Sequence, residues 1–175
     1  PQALITWTTG SPTGVTLKSI AQGDLDIPIV ISASNMTNAQ MTQYEGFLPK
    51  ELYLATTPWP PHDTRLGLPP AAEAQLKLFY DSFHKAGLPL DGPSTYIWDA
   101  ALVVIDTLRR LGPDATPTRI RDRIASLTDF AGINGVYDFV KYPHRGLSEI
   151  DTVMASWDKE HHAWRIVSKL GGAPL

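Results

Sequence analysis

Three short apolar runs constrain this chain more than any other feature: Ala3 to Trp7, Ile27 to Ile31 and Leu52 to Thr56. All three are brief and rich in aliphatic, β-branched or aromatic residues, the pattern of strands buried in a parallel sheet. Helix patterns separate them. Ser11 followed by Pro12 has the form of an N-cap and first helical position, and Gly23 closes that segment. Val15, Leu17, Ile20 and Ala21 give its helix an apolar side. Thr37 and Gln40 have capping-box spacing for a second, short helix reaching Tyr44. Strands alternating with helices specify βαβ units, so residues 1–57 read as a βαβαβ segment of an α/β fold.

The character changes at Pro58 to Pro70, which contains Pro58, Pro60, Pro61, Pro69 and Pro70. Five prolines there forbid regular structure and favour a stiff extended crossing between two lobes. Residues 71–148 then read as mainly helical, with the start of a hairpin. The first helix carries Ala72, Leu76, Phe79, Phe83 and Ala86 inward and stops at Gly87. The second places Ile97, Ala101, Val104, Leu108 and Leu111 inward, with Arg109, Arg110 and then Gly112-Pro113 at its end. Thr116-Pro117 opens a third, with Ile120, Ile124 and Leu127 inward. From Phe130 the pattern turns β. Residues 149–175 supply C-terminal strands returning between the lobes: Val153, Ala155 and Trp157 alternate, a polar turn follows at Asp158 to His161, and Trp164 and Ile166 resume.

Composition removes several classes of function. The 175 residues, 43% hydrophobic and 19% charged, suffice for one domain or two small ones and exclude a disordered chain. A net charge of −3 offers no basic field for a nucleic-acid backbone or an anionic membrane. The absence of cysteine removes disulfide scaffolds, zinc–thiolate sites and cysteine nucleophiles. The chain opens at Pro1 without an initiator Met and reads as a piece of something longer. Its strands lack sheet partners, which predicts that it depends on the absent part for stability.

Little in the sequence carries catalytic chemistry. The five histidines have no metal-ligand spacing, so no metal and no cofactor are expected. His161 and His162 fall in the expected hairpin turn, and His144 beside Arg145 reads as a solvated loop. His62-Asp63 has the form of a catalytic pair but lacks an accompanying nucleophile motif. The Gly10-to-Gly14 stretch follows a strand and opens a helix, yet has Val15-Thr16 where a phosphate loop needs Lys and Ser or Thr. It is either an ordinary turn or a site for a small anion or polar ligand. In open α/β sheets, ligands gather beyond the carboxyl ends of the strands. Those ends hold Thr8, Thr9 and Gly10, then Ser34, Asn35 and Met36, then Trp59: hydroxyls, an amide and apolar surface without formal charge. Tyr96 and Trp98 stand off the expected inward stripe, as packing residues or as a pocket wall.

The order of these elements resembles the C-terminal half of periplasmic solute-binding proteins of the branched-chain amino-acid ABC transporter type, the two-lobed type I fold. Four stretches carry the likeness: Ala3 to Gly10; Pro28 to Ile31 with Ser32 to Met36; Tyr96-Ile97-Trp98-Asp99-Ala100-Ala101; and Phe130-Ala131-Gly132-Ile133-Asn134-Gly135 with Phe139 and His144-Arg145-Gly146. The third is similar to the family's Tyr-Asp-Ala-Ala helix start with two residues inserted. The fourth is similar to its F-x-G-x-x-G hairpin, although Val140 and Pro143 replace the family's Asp and turn Gly.

The resemblance implies a partial type I fold with parallel sheets flanked by helices and a C-terminal β-hairpin. It also implies a periplasmic solute receptor without enzymatic activity, closing by a hinge over a small-molecule ligand and delivering it to an ABC permease. The missing N-terminal half would supply the remaining contacts. Amino-acid binders of the family place a carboxylate in the second loop to meet the ligand ammonium; that position falls at Ser34, and no Asp or Glu occurs from Ile27 to Tyr44. A buried ammonium without a countercharge is costly. An organic acid, aromatic by the nearest family precedent, is therefore the expected ligand. Thr8, Thr9, Gly10, Ser34 and Asn35 would give polar contacts, with Met36 and Trp59 as apolar wall. A branched-chain amino-acid binder, a sensor domain on the same fold and a small hydrolase using His62-Asp63 are the alternatives.

Overall fold

The computed structural model describes residues 1–61 and 66–175. His62 and Asp63, the pair weighed for hydrolysis, lie outside the described residues. Two compact units result: one holds Pro1–Thr56 and Thr152–Leu175 with Pro60 and Pro61, the other Thr57–Trp59 and residues 66–151.

The first unit is built on a five-stranded mixed sheet in the order β1-β2-β3-β6-β7. β1 (Leu4–Thr6), β2 (Ile29–Ile31) and β3 (Leu52–Thr56) are parallel, and β6 (Val153–Asp158) and β7 (Ala163–Ile166) add antiparallel to β3. The register aligns Thr6, Ile31, Leu54, Ala155 and Ile166 in one row, and Ile5, Val30, Tyr53, Ser156 and Arg165 in the next. The first row is the buried face, with Ile31, Leu54 and Ala155 all but inaccessible. The second stays partly open, and Ile5 is 69% exposed. The strand order explains this. Stepping β1 to β2 to β3 in one direction through right-handed crossovers puts both connecting helices on the same side.

Those helices are α1 (Ser11–Gln22) and α2 (Asn38–Tyr44). They bury Leu17 and Ile20, and Met41 and Tyr44, respectively. β1 is thus a half-covered edge strand and not the buried strand its apolar run suggests. Helix α1 also begins one residue early. Gly10 is its N-cap and Ser11 already helical, because Gly10 takes φ +64° and the turn forms there without a side-chain cap. Val15 and Ala21, expected inward, are exposed; Thr13 and Gly14 take the inward places. In α2 the expected cap is present, with the Gln40 N–H donating to Thr37 Oγ1 at 3.2 Å. β6 and β7 form the expected hairpin, and Asp158 organises its turn by accepting from the N–H groups of Glu160 and His161.

The second unit is mostly helical: α3 (Pro70–Ala86), α4 (Gly92–Leu111) and α5 (Pro117–Ala125), then a small ladder of β4 (Phe130–Ala131) and β5 (Val136–Tyr137). Helix α3 buries Ala72, Leu76 and Phe79. It ends with the Gly87 N–H donating to the His84 carbonyl and the Leu88 N–H to that of Phe83, with Gly87 in the left-handed region. Phe79 meets Trp98 of α4 edge-to-face at 5.1 Å between ring centres, so the packing role weighed for Trp98 is the one it plays. Tyr96 is exposed.

Helix α4 turns opposite to expectation. Its buried positions are Gly92, Thr95, Asp99, Val103 and Thr107, while Ile97, Ala101, Val104 and Leu108 face outward. The inward face is the more polar one because Asp99 is needed there: its carboxylate holds the turn that joins β4 to β5.

Candidate functional site

The carboxyl ends of β1 and β2 open into two loops, residues 8–10 and 32–37, braced from below by α1 and α2. Asn35 is the brace. It is fully buried, and its Nδ2 donates to the carbonyls of Thr8 (2.8 Å) and Ser32 (3.1 Å). Its Oδ1 accepts from Thr13 Oγ1 (3.0 Å) and Gln40 Nε2 (2.9 Å). A side-chain amide has two donor hydrogens and two acceptor lone pairs, and all four are used. Gln40 thus completes only half of the capping box; its side chain is diverted from the Thr37 N–H to Asn35. Thr8 joins the same network through a 3.1 Å contact of its hydroxyl with Thr13 Oγ1. The Tyr44 hydroxyl donates to the Gly10 carbonyl at 3.3 Å and ties the head of α1 to the end of α2.

Above this brace the rim is polar and neutral. Thr9, Gly10 and Ser34 are exposed and Thr8 half-buried, and the Ser34 hydroxyl lies 2.8 Å from that of Ser32. No carboxylate or cation occurs in either loop. Hydroxyls and backbone groups of this kind suit a neutral or carboxylate-bearing molecule; they give an ammonium no countercharge. Asn35 and Met36 stand differently from their expected roles as polar contact and apolar wall. Asn35 has no hydrogen-bonding capacity left, and Met36 lies in the core, 1% exposed. Trp7, which the sequence did not single out, is exposed directly before Thr8.

Trp59 belongs to the second unit. It is buried there, its carbonyl accepting from the Tyr80 hydroxyl at 2.5 Å, while its indole N–H has no partner among the described residues. Burial pushes the Tyr80 phenol up to about 12. Close by in sequence, Thr57 donates its hydroxyl to Asn134 Oδ1, and Asn134 is itself held by Asp99. The buried Asp99 carboxylate accepts from the N–H groups of Ile133 (2.9 Å) and Asn134 (3.0 Å), from Asn134 Nδ2 (2.9 Å) and from the Tyr137 hydroxyl (2.9 Å). Burial, and then the Asp99 charge, raise the Tyr137 phenol well above its ordinary value. Gly132 stands where any Cβ would overlap the Asp99 carboxyl group. This gives a physical link between two stretches quoted separately from the sequence, the helix start bearing Asp99 and the Gly132-to-Gly135 turn.

A surface cavity of about 560 Å³ is lined by other residues, among them Pro61, Trp157, Asp158, His161, Trp164 and Arg165. Asp158 accepts there from His161 Nδ1 and Arg165 Nη1. The His161 hydrogen bond is the first cause holding its carboxyl near 2, below the usual carboxylate range.

No protein-family model matches the sequence. No curated protein matches it either. Solved structures do match the fold. An extracellular ligand-binding receptor from Rhodopseudomonas palustris HaA2 superposes with a TM-score of 0.76 at 17% identity, over 95% of this chain and 47% of the receptor. A leucine binding protein, LivK, from Thermotoga maritima MSB8 gives 0.69 at 15% identity, over 95% of this chain and 43% of that one. A type 1 periplasmic binding protein from Bordetella pertussis Tohama I gives 0.69 at 17% identity, over 99% and 46%. The fold shared with these structures is the type I periplasmic-binding fold, and this chain carries it over a little under half of their length.

Proposed function

We propose that the chain is part of an extracytoplasmic solute-binding protein that serves an ABC importer and takes a small organic acid, preferably an aromatic carboxylate. One observation carries this reading: the rim formed by Thr8, Thr9, Gly10 and Ser34 presents hydroxyl and backbone groups and no carboxylate. The matched structures, a ligand-binding receptor and two binding proteins, support a role in binding. The remainder of the protein would bring the second wall of an inter-lobe cleft, the hinge would close over the ligand, and the permease would receive it. Export to the periplasm goes with that role. The leucine named for one matched structure favours a second reading, a branched-chain amino-acid binder.

Calorimetric titration of the protein with both lobes present separates the two, using leucine, an acidic amino acid, and benzoate- and cinnamate-type acids. Tight binding of the aromatic acids with none of leucine is expected. Replacing Ser34 with Asp should then weaken carboxylate binding at least tenfold, about 1.4 kcal/mol. Tight binding of leucine by the unaltered protein would overturn the organic-acid reading and leave the fold untouched.

A further inference from the structure

The second unit holds a cavity of about 400 Å³ that the proposed ligand site does not use. It lies where α3, α4, α5 and the start of β4 come together, and all of its lining belongs to that unit. Arg109 and Arg110 line it from the last turn of α4 and Arg123 from the last turn of α5, joined by Asp106, Asp129 and Gln75. Cations in a last turn offset the partial negative charge of a helix end. That accounts for each arginine singly, but not for three guanidinium groups around one cavity. Nor are the charges paired off. Arg110 donates through Nε to both oxygens of Asp106, at 3.0 and 2.8 Å. Arg123 Nη2 is left 3.9 Å from the same carboxylate, too far for a hydrogen bond. Its Nε is buried without a partner among the described residues. The Arg109 guanidinium forms no hydrogen bond or ion pair among them either. Two acceptors are left over in the same way: the buried Oε1 of Gln75 and the exposed carboxylate of Asp129. Burying a donor and an acceptor unpaired costs free energy, which a ligand supplying both partners would recover.

We propose that this cavity binds a small oxyanion that still carries a proton, hydrogen phosphate being the simplest. Its charged oxygens would accept from Arg109 and Arg123, and its hydroxyl would donate to Gln75 Oε1 or to Asp129. Both kinds of leftover group are then used. Guanidinium forks suit a tetrahedral oxyanion because two N–H groups can meet two of its oxygens. With Asp106 taken by Arg110, two guanidinium groups stand against one free carboxylate, so the balance of charge favours an anion. A fully ionised anion such as sulfate meets the same arginines but offers Gln75 nothing. It also faces the Asp129 charge with no proton between them. The volume falls near the lower end of the range for small-molecule sites. The cavity shares no residue with the rim of the first unit, so neither ligand depends on the other.

Calorimetric titration of the protein with both lobes present, using sodium phosphate and then sodium sulfate at neutral pH, tests the site. One phosphate per molecule is expected, with sulfate weaker by about fivefold or more. Arg109→Ala should weaken phosphate binding about tenfold, and Arg123→Ala at least as much, since each removes charge-assisted hydrogen bonds. Asp129→Asn should narrow the gap between phosphate and sulfate, a change that a merely structural role would not produce. Arg119→Ala should leave binding as it is, because that guanidinium donates to the Asp114 carbonyl and does not line the cavity. Arg109 is exposed, so Arg109→Ala carries the test should Arg123→Ala fail to fold. An absence of phosphate binding at millimolar concentration overturns the proposal. So does phosphate binding that keeps its full strength in Arg109→Ala, or sulfate binding as tightly as phosphate to the unaltered protein.

Discussion

The two units solve the same problem differently: each fixes irregular loops by burying one polar side chain beneath them. In the first, Asn35 uses two donors and two acceptors to tie the loop after β1 to the loop after β2. In the second, Asp99 uses a carboxylate that only accepts, gathering two backbone N–H groups, an amide and a phenol around one turn. The amide is neutral and exchanges bonds evenly. The carboxylate brings charge into a buried place and depends on several donors converging on it. A clamp built on charge should therefore be the harder one to remove.

Asp99→Ala sets the upper end of that comparison. Ile133 N–H, Asn134 and Tyr137 all lose their acceptor, and the expected cost is about 4 kcal/mol, measured as a shift in urea unfolding. Asn35→Ala should cost less, about 2 kcal/mol, because the Thr8 and Ser32 carbonyls can recruit water at the partly open rim. Equal costs would mean that charge adds nothing to the second clamp. The smallest effect belongs to Asp158, half-buried in the hairpin turn. Its carboxyl is held near 2 against an ordinary 3.8, chiefly by its hydrogen bond from His161. A depressed carboxyl contributes stability above its unfolded value and loses it as pH falls toward the folded one. The midpoint difference between the parent and Asp158→Asn should therefore be constant above pH about 4 and vanish near pH 2, by thermal unfolding across that range. A difference that persists at pH 2 would show that Asp158 acts through the turn alone.

The same contrast explains how much could be read in advance. The three parallel strands were legible as brief apolar runs, and the hairpin after Val153 as an alternation of period two. β1 escaped in part. An apolar run declares that a strand can be buried on both sides but not whether a second layer is present to do it. Helix α4 was read with its faces exchanged. Its apolar stripe is the stronger signal, but Asp99 has to reach the Gly132-to-Gly135 turn, and that long-range requirement decides which side faces in. Of the candidate site, the loops were legible from the strand ends. The division of labour within them was not. Thr9 and Ser34 lie at the surface whereas Asn35 and Met36 lie beneath it, a distinction that depends on Thr13 and Gln40 reaching Asn35 from two different helices.

The saturation of Asn35 has a consequence for how such a rim can change. Loops tied from below lose their freedom when the chain folds, so a molecule settling on them gives up mainly its own motion and little of the protein's. In the proposed solute-binding role, selectivity would then be rewritten at the exposed Thr9 and Ser34 one residue at a time, over a foundation that does not have to be rebuilt with each exchange.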